Sequence, residues 1–343
     1  MVKKSHTFSF LLSGIAMLIL ILDSKTALAG TAKGLELCIR TVIPSLFPFF
    51  VISVLFTDAL LTNPIAWLRP LGSICGIPAG AEGIFLLGLV SGYPVGAQAV
   101  TQAWEAGCLS DRDAKRLLGF CSNCGPSFLF GITSVLFSSP WIPWILWGIH
   151  IASAVLNGVL LPGKSKSRIE IPALRSSLNL SNALQKGTRN MASVCGWIML
   201  ARCVLSYLEK WCLFQVPNYI RVGIYGLWEL ANGCICLAEV SSEYVRFLAA
   251  SGFLAFGGIC VGLQTISVTG KLGTGWYFPG KILQVSLSIL LADILASFLY
   301  PQAQFHPVFL LLPAVVTATI RIKRKKEVAI SEKLLYNGEK KIA

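Results

Sequence analysis

The chain has 343 residues, of which 55% are hydrophobic and only 13% are charged, and its formal net charge at pH 7 is +13. Because soluble domains carry about 25% charged residues, this composition excludes an ordinary soluble protein and indicates one that crosses a membrane several times. The lysines and arginines lie between and after the apolar segments, which is typical of loops that set orientation in a membrane rather than of a nucleic-acid site.

Ten apolar segments follow one another along the chain, most of them close to the roughly 20 residues that a helix needs to cross a bilayer. Lys3 and Lys4 precede the first segment, and an Ala-Leu-Ala sequence follows it at 27–29. This segment is therefore either a first transmembrane helix or a cleaved signal segment. The ten segments lie at about 8–22, 38–57, 84–104, 117–138, 141–161, 190–208, 219–238, 247–269, 282–300 and 304–320.

The distribution of basic residues indicates how many segments cross. The chain has 29 Lys and Arg, of which Arg202 lies within an apolar segment and is left out of the count. If all ten segments cross, 15 of the other basic residues lie inside and 13 outside, and the basic loop 163–189 falls outside. If 84–104 and 219–238 instead enter and leave on the same side, the split becomes 22 inside and 6 outside, as the positive-inside rule requires. We therefore predict eight spanning helices, two re-entrant hairpins and two cytoplasmic termini. A kinked but spanning helix is the alternative for 84–104.

The two predicted hairpins belong to two similar units. The stretch LLGLVSGYPVGAQA at 86–99 aligns with IYGLWELANGCICL at 224–237. Each unit reads as a helix, a hairpin and then an interrupted helix, with the interruptions at 123–126 and 257–258. In the eight-helix arrangement the first unit starts outside and the second starts inside. We therefore predict inverted repeats, which characterise secondary transporters with a site between the repeats.

The alignment also matches individual residues and divides the chain into segments. Gly88 matches Gly226, and Arg116 matches Arg246. The predicted organisation is an N-terminal transmembrane or signal segment at 1–30, the first unit with a following helix at 31–162, a basic cytoplasmic loop at 163–189, the second unit at 190–270, two C-terminal helices at 271–320 and a basic cytoplasmic tail at 321–343.

Three stretches carry a family resemblance. PSLFPFF at 44–50, GLVSGYPVGAQ at 88–98 and FCSNCGPSFLFG at 120–131 resemble the P-S-L-x-P-F, S-G-Y-P-x-G-A and N-x-x-P motifs of the YlbJ-type sporulation integral membrane proteins, in the same order. The resemblance extends over about 30–300. That family is in turn similar to the Gate, or nucleoside-recognition, group, whose architecture is similar to concentrative nucleoside transporters.

The resemblance implies an all-α polytopic membrane fold in the cell membrane, here the outer forespore membrane. It also implies that the protein moves dipicolinic acid from the mother cell toward the forespore during endospore formation. A nucleoside-type transporter and a non-transporting scaffold needed for sporulation are the alternatives. The motif residues carried over are Gly92, Tyr93, Pro94, Gly96, Asn123 and Pro126.

Candidates in the second unit come from the residues themselves. An ionisable side chain inside an apolar segment is costly and marks a functional site by default, and Arg202 and Glu229 qualify. Arg202 would hold a carboxylate through two hydrogen bonds, unless it pairs with Glu229 or extends outward to the interface. Tyr93 offers a flat face to an aromatic ligand. The predicted substrate-binding residues are Gly92, Tyr93, Pro94, Gly96, Asn123, Pro126, Arg202, Glu229, Asn232, Gly257 and Gly258.

Asp293 and a pair of cysteines are the remaining candidates outside the predicted binding residues. Asp293 lies outside both units and is expected to relay a proton or to pair with Lys281 or another polar neighbour. Cys121 and Cys124 have C-x-x-C spacing, but no second pair lies nearby to complete a zinc site. We predict no catalytic residue, metal or cofactor. The expected partners are the lipid bilayer and a small-molecule substrate, not a nucleic acid, with homo-oligomerisation left open.

Overall fold

The computed structural model describes residues 2–62, 65–165 and 179–339, and the side chains of 10–56, 65–165 and 179–325. The regular elements of these residues are helices, which confirms the all-α prediction. They are α1 (Val2–Leu22), α2 (Ser24–Leu37), α3 (Ile43–Thr62), α4 (Arg69–Cys75), α5 (Glu82–Val90), α6 (Val95–Glu105), α7 (Asp111–Leu117), α8 (Pro126–Thr133), α9 (Ile142–Leu160), α10 (Leu180–Leu208), α11 (Asn218–Trp228), α12 (Leu230–Cys236), α13 (Glu243–Phe256), α14 (Gly258–Thr269), α15 (Tyr277–Leu299) and α16 (Val308–Glu339).

Five helical stretches of the described chain are long and apolar enough to cross a membrane. An integral membrane protein is therefore the class that both composition and structure support. The five stretches are Ser24–Phe56, Ile142–Leu160, Leu180–Leu213, Glu243–Leu272 and Tyr277–Leu299. The first of them joins α2 to α3 through a π-helical turn.

The helix that contains α2 and α3 begins at Ser24, well before the segment start predicted at 38. The reason is that its first half packs through small residues, which apolar counting overlooks. A Cβ on Gly30 would lie 2.7 Å from Ser206 Oγ, and a Cβ on Gly34 would lie 2.8 Å from Met199 Cα. Glycines of this kind let two membrane helices approach backbone to backbone, and α2 lies along α10 in this way.

Both predicted hairpins form pairs of short helices that pack against each other. The first pair is α5 and α6, and the second is α11 and α12. At about 1.5 Å per residue, arms of this length reach roughly halfway through a bilayer. The arms cross where glycines face each other, since a Cβ on Gly96 would lie 2.9 Å from Gly88 Cα and one on Gly233 would lie 2.2 Å from Gly226 Cα.

Each unit then continues into an interrupted helix, as predicted. In the first unit α7 ends at Leu117 and α8 starts at Pro126, a residue suited to the first helical turn because it has no N–H to leave unpaired. In the second unit α13 and α14 are separated at Gly257, which has φ +81°, and Gly258, which has φ +80°. Two successive left-handed residues stop the helix at a place where only glycine avoids strain.

The C-terminal part of the fold differs from the prediction in two respects. Helix α15 starts at Tyr277, so Lys281 lies inside it rather than in a loop. Asp293 pairs with polar neighbours, one of the expected alternatives, and not with Lys281. It accepts hydrogen bonds from the Tyr244 hydroxyl (2.8 Å) and from the backbone N–H of His306 (2.8 Å). Helix α16 also runs past the predicted segment 304–320 into the basic tail. The central part of the predicted basic loop, 166–178, lies outside the described residues.

Candidate functional site

A cavity of about 50 Å³ lies where the two hairpins meet the two helix breaks. The first unit contributes the stretch from Ser91 to Tyr93 at the hairpin tip, with Cys124 and Gly125 at the break. The second unit contributes Glu229 and Leu230 at its hairpin tip. The four regions singled out by the sequence therefore meet at one place in the fold.

Side chains of the helices close the rest of the cavity. Val42, at the end of the π-helical turn before α3, and Leu46 of α3 line it on one side. Val194 and Ile198 line it from α10, with the same four-residue spacing. Phe128 from α8 and Val261 and Gln264 from α14 complete the lining beyond the two breaks. Most of the wall is therefore apolar, and its polar groups come from the tips, the first break and Gln264 of α14.

The first hairpin tip contacts both helix breaks. Gly92 has φ +78°, and a Cβ there would lie 2.7 Å from the backbone N of Gly125. The Tyr93 hydroxyl donates to the carbonyl oxygens of Leu254 (3.2 Å) and Ala255 (3.4 Å), at the C-terminal end of α13. Tyr93 thereby pairs with carbonyls that the interrupted helix leaves without an intrahelical partner.

The second hairpin tip is organised by Glu229. Its carboxylate caps α12, accepting from the backbone N–H of Ala231 (2.9 Å) and of Asn232 (2.7 Å) and from the Asn232 side-chain amide (2.7 Å). The side chain is buried, and the positive end of the α12 dipole favours its negative charge. Gly258 lies against the same tip, since a Cβ there would be 3.1 Å from the carbonyl oxygen of Trp228.

The first break is held by buried polar contacts. The Asn123 side chain donates to the carbonyl oxygen of Phe120 (2.8 Å) and accepts from the Gln284 amide (2.8 Å). The backbone N–H of Cys124 donates to Nε2 of His150 (3.0 Å). These contacts fix an irregular segment whose backbone groups have no helical partners.

Lys281 is the central side chain that the sequence analysis missed. It is fully buried, and its ammonium donates to the Tyr93 hydroxyl (3.1 Å), to Gln284 Oε1 (2.9 Å) and to the backbone carbonyls of Ala255 (3.3 Å) and Ser122. It also lies 4.8 Å from the centroid of the Tyr93 ring. In the sequence, Lys281 lies directly before the apolar segment 282–300, where a lysine is equally typical of an ordinary loop.

Three buried polar atoms around this centre have no hydrogen-bond partner among the described residues: Ser91 Oγ, Ser122 Oγ and His150 Nδ1. Since His150 Nε2 accepts from a backbone N–H, the neutral ring carries its hydrogen on Nδ1, and that donor is unpaired. Leaving such groups unsatisfied costs about 1–3 kcal/mol each. Ser91 lines the cavity, so a polar ligand there would recover part of this cost.

The structure brings most of the predicted site residues together. Gly92, Tyr93 and Glu229 line the cavity. Seven other predicted residues form the hairpin tips and helix breaks next to the cavity but do not line it. They are Pro94, Gly96, Asn123, Pro126, Asn232, Gly257 and Gly258.

Arg202 lies apart from this group. Its guanidinium pairs with Glu209 (2.6 Å) and stands 5.9 Å from the centroid of the Tyr225 ring. The pairing with Glu229 that the sequence left open is therefore not the one observed. The geometry gives Arg202 a local ion pair instead, and a direct part in ligand binding stays a prediction.

A larger pocket of about 380 Å³ opens next to the cavity, on the side of Lys186 and Arg189. Four helical elements each contribute one residue to the pocket and another, four positions away, to the cavity. Four residues of helix rise about 6 Å, so the pocket and the cavity are about one helical turn apart. The four pairs are Phe50 and Leu46, Leu87 and Ser91, Asn190 and Val194, and Val268 and Gln264.

A second pocket of about 520 Å³ lies on the other side of the cavity from the first pocket, toward the N-terminal end of the helical stretch Ser24–Phe56. Arg40, Thr41 and Ser45 line it, whereas Ser53 and Val54 line the first pocket. The three spaces therefore follow one another along a single helix. A layer of apolar side chains, including the buried Phe50, separates the small cavity from the first pocket.

Comparison with known proteins places the chain beside a sporulation protein. It is 22% identical over 306 residues to the sporulation integral membrane protein YlbJ of Bacillus subtilis (strain 168), with 74% of this chain and 74% of the relative covered. The resemblance predicted from the three motifs is thereby confirmed. No family model matches the chain, and no solved structure matches it significantly.

Proposed function

We propose that the protein is a multi-pass transporter of a small organic solute, with dipicolinic acid as its substrate during endospore formation. The observation that carries this proposal is the composition of the cavity wall. Both units contribute the same three kinds of element: a first long helix (the helical stretch that includes α3, or α10), a hairpin tip, and the half-helix after a break (α8 or α14). The first unit also contributes Cys124 and Gly125 of its break. A site built between two repeats is the arrangement that secondary transporters use.

Packing between the units supports a two-fold relation. Helix α3 packs on α10, α6 packs on α14, and α12 packs on α8. Within the units, α3 packs on α8 and α10 packs on α14. Exchanging the two units turns the α3–α10 contact into itself, the α6–α14 contact into the α12–α8 contact, and the α3–α8 contact into the α10–α14 contact. These five contacts are therefore the ones that two related units would produce. Together with the charge distribution along the sequence, this favours inverted repeats, eight spanning helices and two re-entrant hairpins.

The matched arginines extend the parallel. Arg116 donates to several carbonyl oxygens, including that of Gly158 (2.7 Å) near the end of α9, and stands 5.1 Å from the Phe120 ring centroid. Arg246 donates to the carbonyl oxygen of Leu136 (2.7 Å) and stands 6.0 Å from the Phe137 ring centroid. Each arginine precedes the break of its unit and binds backbone oxygens beside an aromatic ring.

The spaces along α3 suggest how a solute would pass. A cavity of about 50 Å³ is smaller than the roughly 300–1,000 Å³ of sites that hold small organic ligands, so the tips must separate to admit a substrate. The pocket beside Lys186 and Arg189 would face the cytoplasm in the predicted orientation, and the pocket beside Arg40 would face the other side. Alternating access would connect the central cavity to each pocket in turn.

The charges favour an anionic substrate. Lys281 supplies a buried ammonium directly behind Tyr93, and Lys186 and Arg189 border the cytoplasmic pocket. The Tyr93 ring offers a flat surface to a planar aromatic acid. The carboxylate of Glu229 would repel an anion, but it accepts three hydrogen bonds at the start of α12, and these partly neutralise its charge. Dipicolinate is a planar aromatic dianion, so it suits both the basic side chains and the flat Tyr93 ring.

A nucleoside is the second candidate, because Glu229 and Gln264 both line the cavity. Carboxylate and amide groups suit ribose hydroxyls and neutral bases, and they do not need the ammonium of Lys281. The two candidates therefore differ in the charge of the substrate that they require.

The test is flux into liposomes that contain the purified protein. We expect uptake of labelled dipicolinate that unlabelled dipicolinate inhibits and excess uridine does not. Uridine uptake without dipicolinate uptake would transfer the assignment to nucleosides. Uptake of neither, by protein that is folded in the same liposomes, would refute transport and favour a scaffold in the outer forespore membrane with both termini in the cytoplasm.

A further inference from the structure

Lys281 carries a buried ammonium whose partners are all neutral. The side chain is fully buried in the second turn of α15. Its three N–H groups face four acceptor oxygens, those of Tyr93, Ser122, Ala255 and Gln284, so one N–H is shared between two of them. Among the described residues no carboxylate forms an ion pair with it. An ammonium in this position is held by oxygen dipoles, as intramembrane cations are when they lack an acid partner.

Two of these oxygens are backbone carbonyls at interrupted helices. Ala255 lies in the last turn of α13, where the helix dipole is negative and carbonyls lack intrahelical partners. Ser122 lies in the irregular segment before α8. In transporters with broken helices, carbonyls of unwound backbone and of half-helix C-termini coordinate the coupling Na⁺ or H⁺. The shell around Lys281 has this composition.

The ammonium also joins the parts that would have to move. Through Tyr93 it binds the first hairpin tip, through Ser122 the first break, and through Ala255 the second break. Gln284 continues the network to Asn123 through its amide (2.8 Å). A cation here therefore stabilises the closed arrangement of both units, which is the effect that a bound coupling ion would have.

We propose that the ammonium of Lys281 occupies a monovalent-cation site built by the two units, so that transport needs no sodium ion at this position. The effect on transport rests on the proposed function, whereas the cation site itself is defined by the four oxygens around Lys281. Replacing Lys281 with a short side chain would leave an oxygen-lined space for a free monovalent cation. Replacing it with methionine would remove the charge and fill the space.

The first experiment measures dipicolinate flux in liposomes with NaCl or with choline chloride, choline being too large for the site. Wild-type flux should be equal in the two salts. Lys281→Ala should lose about tenfold or more in choline and recover several-fold with Na⁺ or methylammonium, whereas Lys281→Met should not recover. Lys271→Ala, which removes an exposed lysine, should behave as wild type. Sodium-dependent wild-type flux, or undiminished Lys281→Ala flux, would overturn the proposal.

The second experiment does not depend on transport. Methylammonium should raise the melting temperature of purified Lys281→Ala, because it binds only the folded state, and should leave wild type and Lys281→Met unchanged. If the protein moves neither solute but this selective stabilisation occurs, the transport proposal fails and the cation site stands. If methylammonium stabilises none of the variants, or all of them equally, the cation site is refuted whatever the flux shows.

Discussion

Tyr93 and Gly257 lie in direct contact across the two units. A Cβ on Gly257 would stand 3.1 Å from Cζ of the Tyr93 ring, and the tyrosine hydroxyl donates to carbonyls of the helix that Gly257 ends. The tip of the first hairpin is thus seated on the break of the second unit. Because this contact has no room for a side chain, the sequence at both positions is constrained by the same geometry.

Gly257→Ala should therefore damage the site. Alanine at φ +81° costs about 1–2 kcal/mol, and its Cβ would push Tyr93 away from its carbonyl partners. We expect a lower melting temperature in detergent and a loss of dipicolinate flux. Gly196→Ala is the matched control, since a Cβ there meets nothing within 4 Å in helix α10. Equal behaviour of the two variants would contradict the tight contact.

Glu229→Gln should keep the protein folded and inserted but remove most transport. The glutamine retains one oxygen to cap α12, so the stability loss should stay near the roughly 1 kcal/mol of a weakened cap. The negative charge at the cavity wall disappears, and with it any role for that charge in substrate or proton handling. Flux and melting temperature should be compared with Glu239→Gln, whose exposed ion pair with Arg221 contributes little. Normal flux in Glu229→Gln would reduce Glu229 to a helix cap.

Arg116→Lys should destabilise the fold without any direct effect on the cavity. Burial lowers the pKa of Arg116 to about 10, so the guanidinium is still charged at neutral pH. A lysine has three donors on one atom and cannot span the same acceptors, so we expect a loss of about 2 kcal/mol or more in unfolding free energy. The acceptors are the carbonyl oxygens of Cys75, Gly76, Gly158, Leu161 and Pro162.

Arg246→Lys provides the comparison for Arg116→Lys. Among the described residues, Arg246 donates to a single backbone oxygen, that of Leu136, so the same substitution should cost less. Thermal unfolding of both variants in one detergent would measure the difference. A milder effect at Arg116 than at Arg246 would contradict the view that Arg116 holds the ends of α4 and α9 together.

How far the sequence predicts this fold depends on the kind of signal. Glycine, proline and polar tips inside apolar segments mark places where a membrane helix must stop, and Gly257 and Gly258 are predicted in this way. Tyr93 and Asn123 lie at such places too, but as site residues they follow from the family motifs. The positions of the breaks follow because irregular backbone in a membrane needs protein or water around it. Arg202 stood out by the same reasoning as Glu229, but its partner, Glu209, could not be read from spacing alone.

Two features could not be predicted, for physical reasons. Lys281 lies at the edge of an apolar segment, where a lysine is ordinary, and only the three-dimensional contact with Ser122 and Ala255 makes it central. The early start of the first spanning helix depends on Gly30 and Gly34 packing against α10. Hydropathy measures burial in lipid, and it does not register close packing by small residues.

If the two units are inverted, as proposed, equivalent positions should be labelled from opposite sides of the membrane. Arg112 and Ser241 are both exposed, and each lies near the start of the helix that precedes a break. Single cysteines at these positions in a cysteine-free variant should react with a membrane-impermeant maleimide from opposite sides, with position 112 reacting from the cytoplasm. Labelling of both positions from the same side would exclude inverted repeats. It would instead support the alternative in which the segments 84–104 and 219–238 cross the membrane.

The pocket of about 380 Å³ should attract an anionic substrate through Lys186 and Arg189, which line it and are exposed. Charges at the mouth of a cleft raise the local concentration of an oppositely charged solute, and salt screens the effect over about 10 Å at 0.1 M. We expect the double variant Lys186→Gln and Arg189→Gln to slow dipicolinate uptake through the cytoplasmic face several-fold at low salt, with the difference shrinking as salt rises. Lys271→Gln removes an exposed charge that is not part of the pocket lining and should leave the rate unchanged. Equal rates for the double variant and wild type at all salt concentrations would show that this pocket does not recruit the substrate.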